Sequence, residues 1–214
     1  ITWITSLIGS LALIGTPFFA GFYSKDSIIE AVHFSHLPGA GFAHFAVLAG
    51  VFITAFYSFR MYFLVFHGKE RFDQNPDAHH DDHDHDHGHH GAAHAPHESP
   101  WVVTVPLVLL AIPSVVIGFL TIGPMLFGDF FKDAIFVNAQ LHHAMKELAE
   151  DFHGPVAMAT HALTTAPFWL ALAGVACAYY MYMVNPALPV ANKTRVQAIY
   201  TLLENKYYMD WINE

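Results

Sequence analysis

GTPFFAGFYSKDSIIE, residues 15–30, follows a largely apolar run from Ile1 to Gly15 that is ready to cross a bilayer. Lys25 and Asp26 sit in the same stretch, where an ionised group costs about 2.5–3.5 kcal/mol on insertion scales. Charges kept at that cost need compensating partners. The run from Ile1 to about Phe34 is also longer than the ~20 residues that one straight span requires. A break in the middle resolves the excess. Gly15 suits a left-handed helix cap, Pro17 turns Thr16 away from helix, and Ser24 is expected as the N-cap of a second half, Lys25 to Phe34. The break then comprises Gly15, Pro17 and Gly21, with the helix resuming after Gly21.

A lysine at the start of that second half meets the positive end of the helix dipole in a poorly solvated place, and both conditions favour the neutral amine over the ammonium. The free carbonyls at the end of the first half, around Leu13 to Gly15, act in the opposite sense by solvating the ammonium when a proton arrives. Lys25 is therefore the leading candidate for proton exchange, with snorkelling to an interface as the alternative. Asp26 points about 100° away from Lys25 on a helix, so the two are not automatically an ion pair. Asp26 shares a face with Glu30 one turn on, and a first-turn carboxylate could equally serve only the helix dipole. Arg60, about two turns before Lys69 and Arg71, reads as snorkelling toward those charges, with pairing inside the bundle as the alternative. Lys25 and Asp26 are thus the primary candidates, Arg60 and Glu30 the secondary ones.

The whole chain carries the same signature. It has 214 residues, 54% hydrophobic and only 13% charged, about half the charge usual in soluble domains. The apolar residues collect into four blocks, which predicts an all-α, polytopic transmembrane helix bundle with one discontinuous helix. We divide it into a broken span over 1–34, a span over 43–66, a loop over 67–100, a span over 101–122, a loop over 123–163, a span over 164–186 and a segment over 187–214. Pro106 and Pro113 lie a heptad apart in the third span and are expected to kink rather than end it. In the fourth, Ala171, Gly174 and Ala178 suit close helix packing, and Tyr179, Tyr180 and Tyr182 an interface belt.

Five basic residues outside the spans (Lys69, Arg71, Lys193, Arg195, Lys206) fall on one side by crossing parity, against Lys132 and Lys146 on the other. The positive-inside rule makes the richer side cytoplasmic. On the opposite side, Leu141, Met145, Leu148 and Phe152 recur at helical spacing within Asp129 to His153. They predict an amphipathic helix along the outer face or packed on the bundle.

Residues 78–98 read AHHDDHDHDHGHHGAAHAPHE, in the loop after the second span. Imidazoles at this density bind zinc or nickel adventitiously, through His79, His80, His83, His85, His87, His89 and His90. A low-complexity tract supplies no fixed ligand shell, so it is read as a solvated linker. Much of the net charge of −9 comes from Asp73 to Asp86, and nothing here suits nucleic acid. The single cysteine, Cys177, excludes an intrachain disulfide and a CxxC pair and is read as a small core residue. No P-loop, GxGxxG, HExxH or serine nucleophile elbow is present, so chemistry in this chain would be ion movement. A start inside an apolar run, without a charged leader, reads as a piece of a longer protein.

Three stretches resemble one family. GTPFFAGFYSKDSIIE resembles the broken twelfth membrane helix of the chain L family of NADH-quinone oxidoreductase (respiratory complex I), TAFYSFRMYFLVFHGKER from Thr54 resembles the next helix, and NKYYMDWINE the segment before the lateral helix. The resemblance covers nearly the whole chain apart from the histidine tract and much of the outer loop. It implies an antiporter-like, proton-translocating subunit of a bacterial inner-membrane enzyme complex, contacting the adjacent antiporter-like subunit, other membrane-arm subunits and lipid. It further implies that Lys25, with Asp26 as its acidic neighbour, stands at the half-channel leading to the periplasm. NADH, FMN, iron–sulfur clusters and quinone would bind other subunits, leaving no cofactor or redox site in this chain. The family's earlier helices, with the input half-channel, and most of its lateral helix have no counterpart here. Rival readings are a subunit of a multisubunit sodium/proton antiporter or membrane-bound hydrogenase, a divalent-metal transporter with a histidine loop, and a purely assembling or anchoring role.

Overall fold

The computed structural model describes residues 1–70, 97–138 and 143–213. The candidate histidines from His79 to His90 lie outside these, as do Leu141 and His142. All elements among the described residues are helical.

Helix α1 (Thr2–Ile14) runs through the first apolar stretch and stops at Gly15, whose backbone adopts φ 78° and ψ 41°. That left-handed conformation is open to glycine and costs other residues about 1–2 kcal/mol. The Gly15 N–H donates to the Ala12 carbonyl and the Thr16 N–H to the Leu11 carbonyl, closing two of the acceptors that every helix end leaves free. Thr16 to Phe19 then form a turn, closed by the Phe19 N–H on the Thr16 carbonyl at 3.0 Å. Pro17 occupies its second position and Phe18 its third, with φ 73°, where glycine or asparagine is usual.

Helix α2 (Ala20–His33) begins directly after that turn, with Phe19 extended as its N-cap. This corrects the expected start at Lys25. Ser24 is no cap: its hydroxyl donates backward to the Gly21 carbonyl from within the helix, at 3.3 Å. Gly21 belongs to α2 rather than to the break. A Cβ built there would stand 1.9 Å from the Ala12 carbonyl oxygen, so the glycine is what lets α2 lie directly on the backbone of α1. Neither half reaches across ~30 Å of hydrocarbon alone, since 13 and 14 residues rise about 20 Å each.

Helix α3 (Ala40–Phe66) and helix α4 (Trp101–Ile122) are long and apolar enough to span, as is the run from Ala166 to Val184. Helix α4 continues through Pro106 and Pro113 and passes into a π-helical turn, Gly123–Phe127. Helix α7 (Ala166–Tyr179) likewise ends in a π-helical turn, Tyr180–Val184. The small residues Ala171, Gly174 and Ala178 are buried, and α7 makes its most extensive pairing with α3. Tyr179 meets the Phe63 ring at 5.5 Å along one edge while staying exposed, as does Tyr180. Cys177 is half-buried on the same helix.

Two cores result. Ile14, Ala55, Phe59, Tyr62, Ala171 and Ala178 join α1, α3 and α7, while Phe22, Tyr23, Ile122, Ala159 and Ala162 join α2 and α4 to a helix the sequence reading missed. That helix is α6 (Pro155–Ala162), which begins with proline in its first turn after Gly154. Of the expected amphipathic helix, α5 covers His143–Asp151, and Leu148 alone of these residues is buried, against α2. Phe152 lies just beyond it. After α7 the chain continues as α8 (Ala187–Arg195), α9 (Gln197–Glu204), a 3-10 turn and α10 (Met209–Asn213).

The start of α1 stands beside the end of α3, where Trp3 approaches the Tyr62 and His67 rings at 6.2 Å each. The Thr2 hydroxyl donates to Glu98, just before α4. The far end of α2 meets α5 and α6 instead. The two halves of the broken helix therefore run from the Trp3 end of α1, beside the end of α3, to the side of α5 and α6.

Candidate functional site

The break leaves α1 with a third free acceptor, the Leu13 carbonyl. The Lys25 ammonium donates to it. The stem of Lys25 lies over Gly15, where an added Cβ would meet Lys25 Cδ at 3.5 Å. A hydrogen bond from a charged donor contributes about 1.5–3 kcal/mol, the same order as the cost of placing a lysine in a membrane helix. That offset is how a charge persists in this span.

Its place on α2 changes one part of the expectation. Lys25 is the sixth residue of the helix and Asp26 the seventh, and the first turn holds no acidic residue. The dipole acts mainly within the first turn, so neither residue owes its state to it. What acts on Lys25 is partial burial together with the end of the other half-helix. The reading of Asp26 as a first-turn dipole carboxylate falls for the same reason.

Asp26 is buried, with 7% of its surface exposed, and makes no hydrogen bond or ion pair among the described residues. A carboxylate in that position is costly unless neutral or reached by water. Beside it lies a cavity of about 20 Å³ bounded by Gly15, Pro17, Lys25, Asp26 and Thr165, room for about one water. Lys25 and Asp26 thus face one small gap, otherwise largely apolar, where the two half-helices meet α3, α6 and α7 through Val51, Ala162 and Phe168. Glu30, half-buried one turn on, faces a second and larger cavity with His161 and Asp151.

Arg60 stands elsewhere. It is exposed on α3, with its guanidinium carbon 5.3 Å from the centre of the Tyr182 ring, a cation–π contact to the turn that follows α7. The structure does not bring it to Lys25. Among the described residues no group of three or more histidine, cysteine, aspartate or glutamate side chains is placed to hold a metal ion.

Sequence reasoning found the break and its lysine but missed His153 and His161. The signal available was Gly154–Pro155, a helix-start pair that places α6, and so His161, against α2.

No family model matches the chain. Its sequence is 57% identical over 210 residues to NADH-quinone oxidoreductase subunit L of Neisseria meningitidis serogroup A, covering 98% of the chain and 31% of that protein. It is 36% identical over 223 residues to NAD(P)H-quinone oxidoreductase chain 5 of Picosynechococcus sp., covering 98% of the chain and 30% of the relative. Subunit L of Mycobacterium tuberculosis is 33% identical over 219 residues, covering all of the chain and 29% of the relative. The chain spans about a third of the length of the curated relatives it matches, in their C-terminal part.

Proposed function

The chain belongs to the subunit L/chain 5 family of NADH-quinone oxidoreductase, and from that membership we propose that it supplies the exit half-channel of a proton pathway in such a complex. The observation that carries this reading is the Lys25 ammonium held on the Leu13 carbonyl across the helix break, with Asp26 buried alongside.

Lys25 holds a proton as ammonium while the α1 carbonyl solvates it, and sheds that proton into the gap beside Asp26 when a charge upstream makes the ammonium unfavourable. The energies match. Moving one proton against 100 mV requires about 2.3 kcal/mol. A unit charge brought to about 8 Å at an effective dielectric of about 20 supplies about 2 kcal/mol. The hydrogen bond lost on deprotonation is of the same size. Modest charge movement therefore suffices, with no large rearrangement of the bundle.

The partners in this reading are other membrane-arm subunits, the adjacent antiporter-like subunit first among them, and the lipid of a bacterial inner membrane. The loop over 67–100 and the segment over 187–214 face the cytoplasm, and α5 and α6 the periplasm. NADH, FMN, iron–sulfur clusters and quinone belong to other subunits. In the intact complex, Lys25→Ala lowers the number of protons pumped per electron transferred; an unchanged ratio overturns the reading.

A further inference from the structure

Beyond Asp26 the bundle opens. A cavity of about 380 Å³ lies between α2, the π-helical turn after α4, α5 and α6. Part of its lining is apolar: the Phe127 and Phe152 rings stack at 4.2 Å, with Leu148 and Met158 also on it. The lining also carries Glu30, Asp151, His153 and His161. Among the described residues, no lysine or arginine lines the cavity. A polar cavity of this size holds several waters. The small gap at Lys25 and Asp26 is bounded by Ala162, the residue after His161, so the two cavities occupy successive turns of α2 and adjoining residues of α6.

We propose that Glu30 and His161, with Asp151 and His153 at the rim, form a second protonatable station through which a proton leaving the Lys25–Asp26 gap reaches solvent. This rests on the translocation reading above and adds a route to it. The proton leaving the gap forms an O–H bond on the Glu30 carboxylate. That bond breaks as the proton joins a ring nitrogen of His161, directly or through cavity water, giving an imidazolium. The imidazolium then gives the proton to water at the rim, leaving hydronium and a neutral imidazole. No electrons move.

The chemistry suits the position. Imidazole, with a reference pKa of about 6.5, accepts a proton from a carboxylic acid and still returns it to solvent near neutrality. The groups that face Glu30 bear on both steps. On α2 these are Asp26 and His33, the latter in ring contact with His44 of α3 at 5.0 Å; α5 supplies Asp151, the link to α6 His153, and α6 His161. Helix α4 supplies no titratable group. Asp151 steadies the imidazolium, and among the described residues no fixed positive charge on the lining opposes the proton's arrival.

The test uses the whole complex in proteoliposomes, with pumping read as membrane potential per electron transferred. His161→Ala slows pumping at least roughly threefold, a fraction of the ~10²-fold that a positioned acid–base group contributes, because water still reaches the cavity. Imidazole added on the exit side restores it, since the emptied cavity admits the free base; a merely structural role gains nothing from it. His161→Gln, polar but without a titratable group, replaces the alanine variant if assembly suffers, and behaves alike. Lys25→Ala is impaired and imidazole does not restore it. Pumping that stays at the wild-type level in both His161 variants, or a loss that imidazole leaves unchanged, overturns the station. Wild-type pumping in Lys25→Ala overturns the reading beneath it.

Discussion

The Lys25 ammonium donates to the Leu13 carbonyl, so a charge on one half-helix closes the open end of the other. The two residues lie on either side of a turn built from Gly15 to Phe19, and the bond exists only because the helix is broken there. A continuous helix would have used the Leu13 carbonyl internally and left Lys25 facing lipid or protein with nothing to solvate it.

Closeness of the two half-helices sets this geometry, which makes Gly21 critical. Its missing Cβ would lie 1.9 Å from the Ala12 oxygen, a backbone atom that cannot rotate away. Gly21→Ala is expected to push α1 and α2 apart and to cost about 1–3 kcal/mol, the range for overpacked sites. Thermal inactivation of the complex at lower temperature, with weaker pumping at permissive temperature, checks it. Gly21→Val should be worse.

Gly15 makes a separate demand. At φ 78° any side chain is strained, and Gly15→Ala should destabilise the break by about 1–2 kcal/mol. Its Cβ would meet Lys25 Cδ at an ordinary 3.5 Å. The loss should therefore appear in thermal stability with pumping at permissive temperature retained, unlike Gly21→Ala.

Much of this was legible in sequence because the relevant signals are local. Gly15 and Pro17 state where α1 ends, and the run after them states that the span continues. The start of α2 was misplaced because Ser24 resembles a cap, whereas the Thr16–Phe19 turn had already set the chain for helix at Ala20. Gly21 looked like part of the break because a close backbone contact between two half-helices leaves no local mark. His161 escaped for another reason: its neighbours, Glu30 and Asp151, come from elements far apart in the chain, and only packing brings them together.

The contact between Arg60 and Tyr182 is exposed and lies away from the break. A double-mutant cycle with Arg60→Ala and Tyr182→Leu should give a coupling of about 0.5–1 kcal/mol, read from thermal stability. Pumping per electron in Arg60→Ala should remain close to wild type, because no contact among the described residues joins that side chain to Lys25.

The histidine tract offers a contrast between binding and function. Replacing the histidines from His79 to His90 with serine and glycine should abolish retention on immobilised nickel while leaving assembly and pumping unchanged. Loss of pumping would assign the tract a role that a solvated linker does not have.

The most direct measurement compares Lys25→Arg with Lys25→Ala for protons pumped per electron in the reconstituted complex. Arginine keeps the positive charge and can still donate to the Leu13 carbonyl, yet it does not release its proton. If Lys25 works by gaining and losing a proton, the arginine variant pumps no better than the alanine variant. Pumping by Lys25→Arg at the wild-type ratio would contradict the account, because a fixed charge would then suffice.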